Sequence, residues 1–146
     1  MNSTTSAIYD ILQDDLTLVN MLGSNRPFHS PSGALSKQNS IVPAGQINGK
    51  FITPFVSLQE GNLTLISEKL KDESFYVRCY NDINKTGVAI NNVLDRVVEL
   101  IDRVELNIVD EKHRFVKIKW ESRLPLLVDE GFNLNFREDR YRLYIL

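Results

Sequence analysis

The sequence predicts an α+β fold: an antiparallel or mixed β-sheet with two amphipathic helices packed on one face. Three observations carry the prediction. The stretch Ser74–Tyr80 alternates, with Phe75, Val77 and Cys79 on one side and Tyr76, Arg78 and Tyr80 on the other, the pattern of a half-buried strand. Ile90, Val93, Leu94, Val97, Val98, Ile101 and Val104 then recur at helical spacing, while Asp95, Arg96, Glu99, Asp102 and Arg103 fall elsewhere on the wheel. Around this strand–turn–helix the element order reads helix, long arm, two or three strands, helix, three or four strands.

Taken in order, the first element is a helix over about residues 5–21. Ile8, Ile11, Leu12, Leu16, Val19 and Leu22 step by three and four, Ser3 to Ser6 offer capping hydroxyls, and Gly23 stops the helix. The paired acids Asp14 and Asp15 read as solvated surface. Residues 24–50 are rich in Ser, Asn, Gly and Pro and keep no hydrophobic period, so they read as a long flexible arm or as a plain variable loop. A strand follows in FITPFVSLQEG, with Pro54 at a strand start or a sheet edge because it lacks a backbone donor. NLTLISEKLKDE is ambiguous between strand and turn. Residues 81–86 supply caps for the long helix. Beyond the helix, VDEKHRF resembles a hairpin turn, and RFVKIKWES alternates Val116, Ile118 and Trp120 against Lys117, Lys119 and Glu121. SRLPLLVD continues past a bulge or edge at Pro125. A turn around Gly131 leads to REDRYRLYIL, where Tyr141, Leu143 and Ile145 alternate with Arg140, Arg142 and Tyr144.

The chain of 146 residues reads as one domain, 1–146, with no internal repeat and no change of composition along it. With 42% hydrophobic and 25% charged residues it has the balance of a soluble globular protein, and a net charge of −2 gives no global attraction to nucleic acid or anionic membrane. Neither a signal peptide nor a membrane-spanning run is evident. The single cysteine, Cys79, sits inside an apolar strand and reads as a small buried residue. The two histidines, His29 and His113, lack the spacing or the Cys partners of a metal site. No nucleophile elbow and no phosphate-cradling glycine loop occurs. We therefore expect no enzyme activity, no catalytic residue, no metal and no cofactor. Lys112, Arg114, Lys117 and Lys119, interleaved with Phe115 and Trp120, suggest a base-stacking sheet face, but Trp120 shares the core side of its strand and the lysines form an outer row.

Tyr76, Arg78 and Tyr80 lie on the far side of one strand, and Arg140, Arg142 and Tyr144 on the far side of the last. If the helices cover one sheet face, these six line the other. Tyr and Arg are enriched at protein interfaces, so this is the candidate assembly interface; the alternative is an ordinary solvated sheet face.

In the order of its features the chain resembles the tail terminator, or tail completion, proteins of long-tailed bacteriophages. The resemblance runs from AIYDILQDDLTLVNML through TPFVSLQEG, FYVRCYND and NNVLDRVVELI to HRFVKIKWESRLPLLVDEG and DRYRLYIL. It rests on pattern, since the family has no diagnostic catalytic motif, and the 24–50 arm is longer than the connection in compact members. The resemblance implies a structural virion protein at the tail–head junction, assembled in the host cytoplasm. It implies a ring, hexameric in the family, that caps the tail-tube protein, stops its polymerisation and presents a docking surface to the head–neck connector. No membrane partner and no specific nucleic-acid binding are expected. Phe28, Leu35, Ile41 and Val42 are then candidate arm contacts on an adjacent subunit or on the tube. Two alternatives stand beside this reading: another neck or head-closure component, and a small nucleic-acid-binding regulatory protein.

Overall fold

A computed structural model describes residues 3–23, 27–29, 35–37, 40–47, 51–67, 70–109 and 114–146. Its helices are α1 (Ser3–Gln13), α2 (Leu16–Met21) and α3 (Val88–Ile101), and its strands are β1 (Pro27–His29), β2 (Leu35–Lys37), β3 (Ile41–Pro43), β4 (Phe55–Leu65), β5 (Lys71–Asp82), β6 (Glu105–Ile108), β7 (Arg114–Arg123), β8 (Leu127–Asp129) and β9 (Leu134–Ile145). The main sheet runs β3-β4-β5-β9-β7-β6, with β8 added to β9 beyond the end of β7; β1 and β2 form a separate hairpin. All pairs in the main sheet are antiparallel except β3 with β4. The fold is thus α+β with a mixed sheet and its helices on one face, as the periodicities predict.

The core lies between helices and sheet. α3 presents Ile90, Val93, Leu94, Val97 and Ile101 to Phe75, Val77 and Cys79 of β5, and to Val116, Ile118, Tyr141 and Leu143 of β7 and β9. Each of these side chains is almost wholly removed from water, which stabilises the fold by roughly 1.5–3 kcal/mol for each large aliphatic. Burial pushes the Cys79 thiol well above its ordinary range, so this cysteine is an inert core residue. Where α3 ends, Asp102 accepts a hydrogen bond from the Trp120 backbone N–H at 2.8 Å, and Arg103, in the left-handed region at φ 63°, donates its own N–H to Ile118 O at 2.8 Å. The helix is thereby tied directly to β7, and the chain turns into the short β6, which is too brief to register as a period.

Three expectations need correction. The first helix is two. It breaks at Asp14–Asp15, and Asp15 is a working cap: its carboxylate accepts from Leu18 N at 2.8 Å and takes a two-pronged bond from Arg96 of α3, at 2.7 and 2.9 Å. That pair holds the Asp15 carboxyl below its usual range. The break shifts the helical phase, so Leu18 is buried while Leu16 points to solvent. Second, α2 ends at Met21 with Leu22 as its C-cap, so Gly23 follows the helix end as expected, but what requires glycine there is close approach. A Cβ there would meet Ile52 O at 2.5 Å, and the Gly23 N–H donates to Pro54 O at 2.9 Å.

The third correction concerns the arm. Residues 41–43 are a strand of the main sheet, paired in parallel with Val56–Leu58, and Ile41 and Val42 are 0% and 3% exposed. These two candidate arm contacts therefore belong to the subunit's own interior and cannot reach a neighbour. A three-residue parallel strand leaves no alternation to read, which is why composition alone suggested a loop. Phe28 and Leu35 fall on β1 and β2, and their side chains lie outside the described residues, as do 24–26, 30–34, 38–39 and 48–50. Residues 110–113, His113 among them, also lie outside the described residues. The ambiguous NLTL segment is strand, continuing β4 past a register shift between Glu60 and Leu63.

Candidate functional site

Strand pairing decides which side chains share the face opposite the helices, because directly paired residues point to the same side. Tyr76 pairs with Arg140, Arg78 with Glu138 and Tyr80 with Phe136. On the next strand Lys119 pairs with Arg142 and Lys117 with Tyr144. All six predicted residues, Tyr76, Arg78, Tyr80, Arg140, Arg142 and Tyr144, thus stand on one face of β5 and β9.

The face has two zones. At one end Phe55, Tyr80 and Phe136 form a small apolar cluster of their own. The Phe55 and Tyr80 rings stack at 4.9 Å, Tyr80 and Phe136 at 5.3 Å, and Phe51 closes edge-on against Phe55 at 5.1 Å. Tyr80 is only 2% exposed. It is therefore a packing residue of this second core and offers no surface to a partner, which removes it from the candidate interface.

Along the middle runs a ladder of alternating charge. Arg78 donates to Glu138 at 2.8 Å and lies over the Phe136 ring at 4.8 Å, and Arg140 donates to the other Glu138 oxygen at 3.0 Å with its guanidinium 5.7 Å from the Tyr76 ring. Arg142 bridges Asp72 at 2.8 Å and Glu121 at 2.5 Å. Three arginines meet three carboxylates, so this stretch is neutral and its long side chains are held in place. Gly61 lets Tyr76 lie down across β4: a Cβ at that position would stand 2.9 Å from the Tyr76 ring. The carboxylates were missed in the sequence, although Glu138 is two residues from Arg140 and must share its face by strand alternation.

In this ladder each arginine already holds a carboxylate. Among the described residues no group of three or more His, Cys, Asp or Glu is placed to hold a metal ion, and none of their helices is long and apolar enough to cross a membrane. What the arrangement can do is dock. Its half-buried arginines are fixed before any partner arrives, so less side-chain entropy is lost on contact than with mobile charges.

No protein-family model matches the sequence, and no curated protein matches it. Among solved structures, the fold is shared with a chain described as "Virion of native gene transfer agent (GTA) particle". The likeness covers 98% of this chain and 94% of that one, with a TM-score of 0.69 at 14% sequence identity. The correspondence takes in both helical layer and sheet and leaves almost none of either chain unmatched.

Proposed function

We propose that this chain is a structural subunit of a phage-like particle, and that it works as a tail terminator. Copies associate into a ring on the last ring of tail-tube protein. The ring ends tube growth and offers its other side to the head–neck connector. The observation that carries this reading is the likeness to the gene transfer agent virion chain over nearly the full length of both. The charge-paired Tyr/Arg ladder supports it, because such a surface suits docking to protein. By resemblance the ring is a hexamer.

The test is genetic and structural together. Removing the chain from a producing strain is expected to give tails of uncontrolled length that fail to join heads, and labelled protein is expected at the tail–head junction of intact particles. Tails of normal length that lack heads, with the label at the neck, would favour a head-closure component instead. Salt-dependent retardation of DNA by the isolated protein, with no place in particles, would favour the nucleic-acid-binding alternative, for which the exposed Phe115 beside Lys117 and Lys119 is the relevant feature.

A further inference from the structure

The sheet leaves two apolar patches exposed at opposite ends of the same strand. At the C-terminal end of β9, Leu146 donates its N–H to Phe115 O at 2.9 Å, and both side chains stand out in solvent, 67% and 56% exposed. With Leu70 and Tyr144 they frame a hollow of about 330 Å³. At the other end, β8 pairs only with the start of β9 among the described residues, and its edge carries three consecutive exposed aliphatics, Leu126, Leu127 and Val128. Leu127 pairs with Phe136, ten positions before Leu146 on β9. At about 3.3 Å per residue the patches lie roughly 30 Å apart, so one subunit cannot close one on the other.

Their lysines and acids are unevenly shared, although Glu105 also lines the first hollow. Beside the first patch, exposed Lys117 and Lys119 share the Phe115 face of β7. Lys117 has only a loose 3.9 Å contact to the solvent-exposed Glu105, and Lys119 has no ion pair among the described residues. Beside the second, Asp129 and Glu130 make no ion pair among the described residues; the Asp129 carboxylate accepts the Phe132 N–H at 3.2 Å. Bringing like patches together would set lysine against lysine or acid against acid. Bringing unlike patches together sets lysine against acid and covers aliphatic with aromatic surface.

We propose that the Leu126–Val128 edge of one copy docks into the Phe115–Leu146 hollow of the next, a head-to-tail contact between copies of this chain. Such a contact uses two different surfaces on each subunit, so it propagates until rotation closes it into a ring. The inference rests on the ring of the proposed function and assigns its subunit interface.

The experiment measures solution mass by sedimentation, with circular dichroism to verify folding. Phe115→Asp and Leu127→Asp are each expected to weaken association at least about thirtyfold, the loss typical of a central interface residue, leaving folded monomers. An equimolar mixture of the two is expected to form a dimer and nothing larger, because one intact hollow then meets one intact edge. Lys119→Glu and Glu130→Lys supply gentler surface variants: each alone weakens association, and the two combined in one chain restore it. A mixture that stays monomeric, a single patch variant that assembles like the unmodified chain, or unmodified protein that never associates would overturn the inference. Assembly by this contact in a protein absent from particles would instead overturn the proposed function and leave the contact standing.

Discussion

Removing Arg123 tests how the helical layer is held to the sheet. Asp139 of β9 is 0% exposed, and Arg123 of β7 meets it with two bonds, at 2.7 and 2.9 Å, while reaching Asp95 of α3 at 2.6 Å. Burial raises the Asp139 carboxyl above its ordinary range; the Arg123 pair and a Trp120 contact pull it back, and Asp95 pushes it up further. Arg123→Ala removes the compensation and leaves the burial. Breaking one side of such a pair costs about 3–5 kcal/mol, a large part of the ~5–15 kcal/mol that holds a domain of this kind together. The pH dependence follows from the sign of the shift. A carboxyl raised on folding opposes folding when ionised, so its cost is present above its folded-state pKa and fades as pH falls and the group is protonated. Guanidinium unfolding at pH 7 and near pH 4 should therefore show a large loss at the higher pH and a smaller one at the lower. Adding Asp139→Asn should recover part of the loss at pH 7 and little at low pH. A loss below about 1 kcal/mol, or one identical at both pH values, would refute the claim that an uncompensated charge lies at this junction.

Four further outcomes are expected. Val97→Asp should abolish cooperative unfolding, since Val97 of α3 is fully buried against the sheet and an unpaired carboxylate there costs several kcal/mol; a soluble, cooperatively melting variant would contradict the helix-on-sheet core. Ile41→Ala should cost about 2–4 kcal/mol in denaturant unfolding, and the amides of residues 41–43 should exchange slowly in the isolated subunit. Arg140→Ala should change stability by no more than about 0.5–1 kcal/mol, because that side chain is about half exposed and its pair is solvated, yet it should weaken docking to the partner ring measured by pull-down. His29→Ala with His113→Ala should leave particle assembly unchanged, and metal analysis of the native protein should find no stoichiometric zinc.

The long periods were legible and the short elements were not. α3 and the strands β5, β7 and β9 each run for ten residues or more, long enough for burial on one side to write a clear alternation. β3, β6 and β8 have three or four residues, and their positions are set by neighbours distant in sequence. The break after Gln13 was hidden because Leu16 continues the apolar spacing while its side chain does not enter the core. In the candidate site the alternation placed all six residues on one face, but it could not tell Tyr80 from Tyr76. What separates them is Phe55 and Phe136, brought alongside Tyr80 by strand pairing. The carboxylate partners of the arginines required the same cross-strand register.

The role proposed for the ladder is docking, and its contribution to stability is small. Arg140 and Arg142 are 48% and 39% exposed in their side chains, so water screens their pairs and each contributes on the order of 1 kcal/mol or less. The apolar core on the helix side of the sheet is sufficient to hold the strands together without them. Covering the ladder with a partner changes the balance, because the same pairs are then removed from water. Bare arginines would meet a large desolvation cost at that moment, whereas arginines that already hold carboxylates enter the interface as neutral, shaped units. A subunit built this way presents an ordered, charge-paired strip to the proposed partner, whose recognition then depends on the spacing of the Tyr and Arg side chains across β5 and β9.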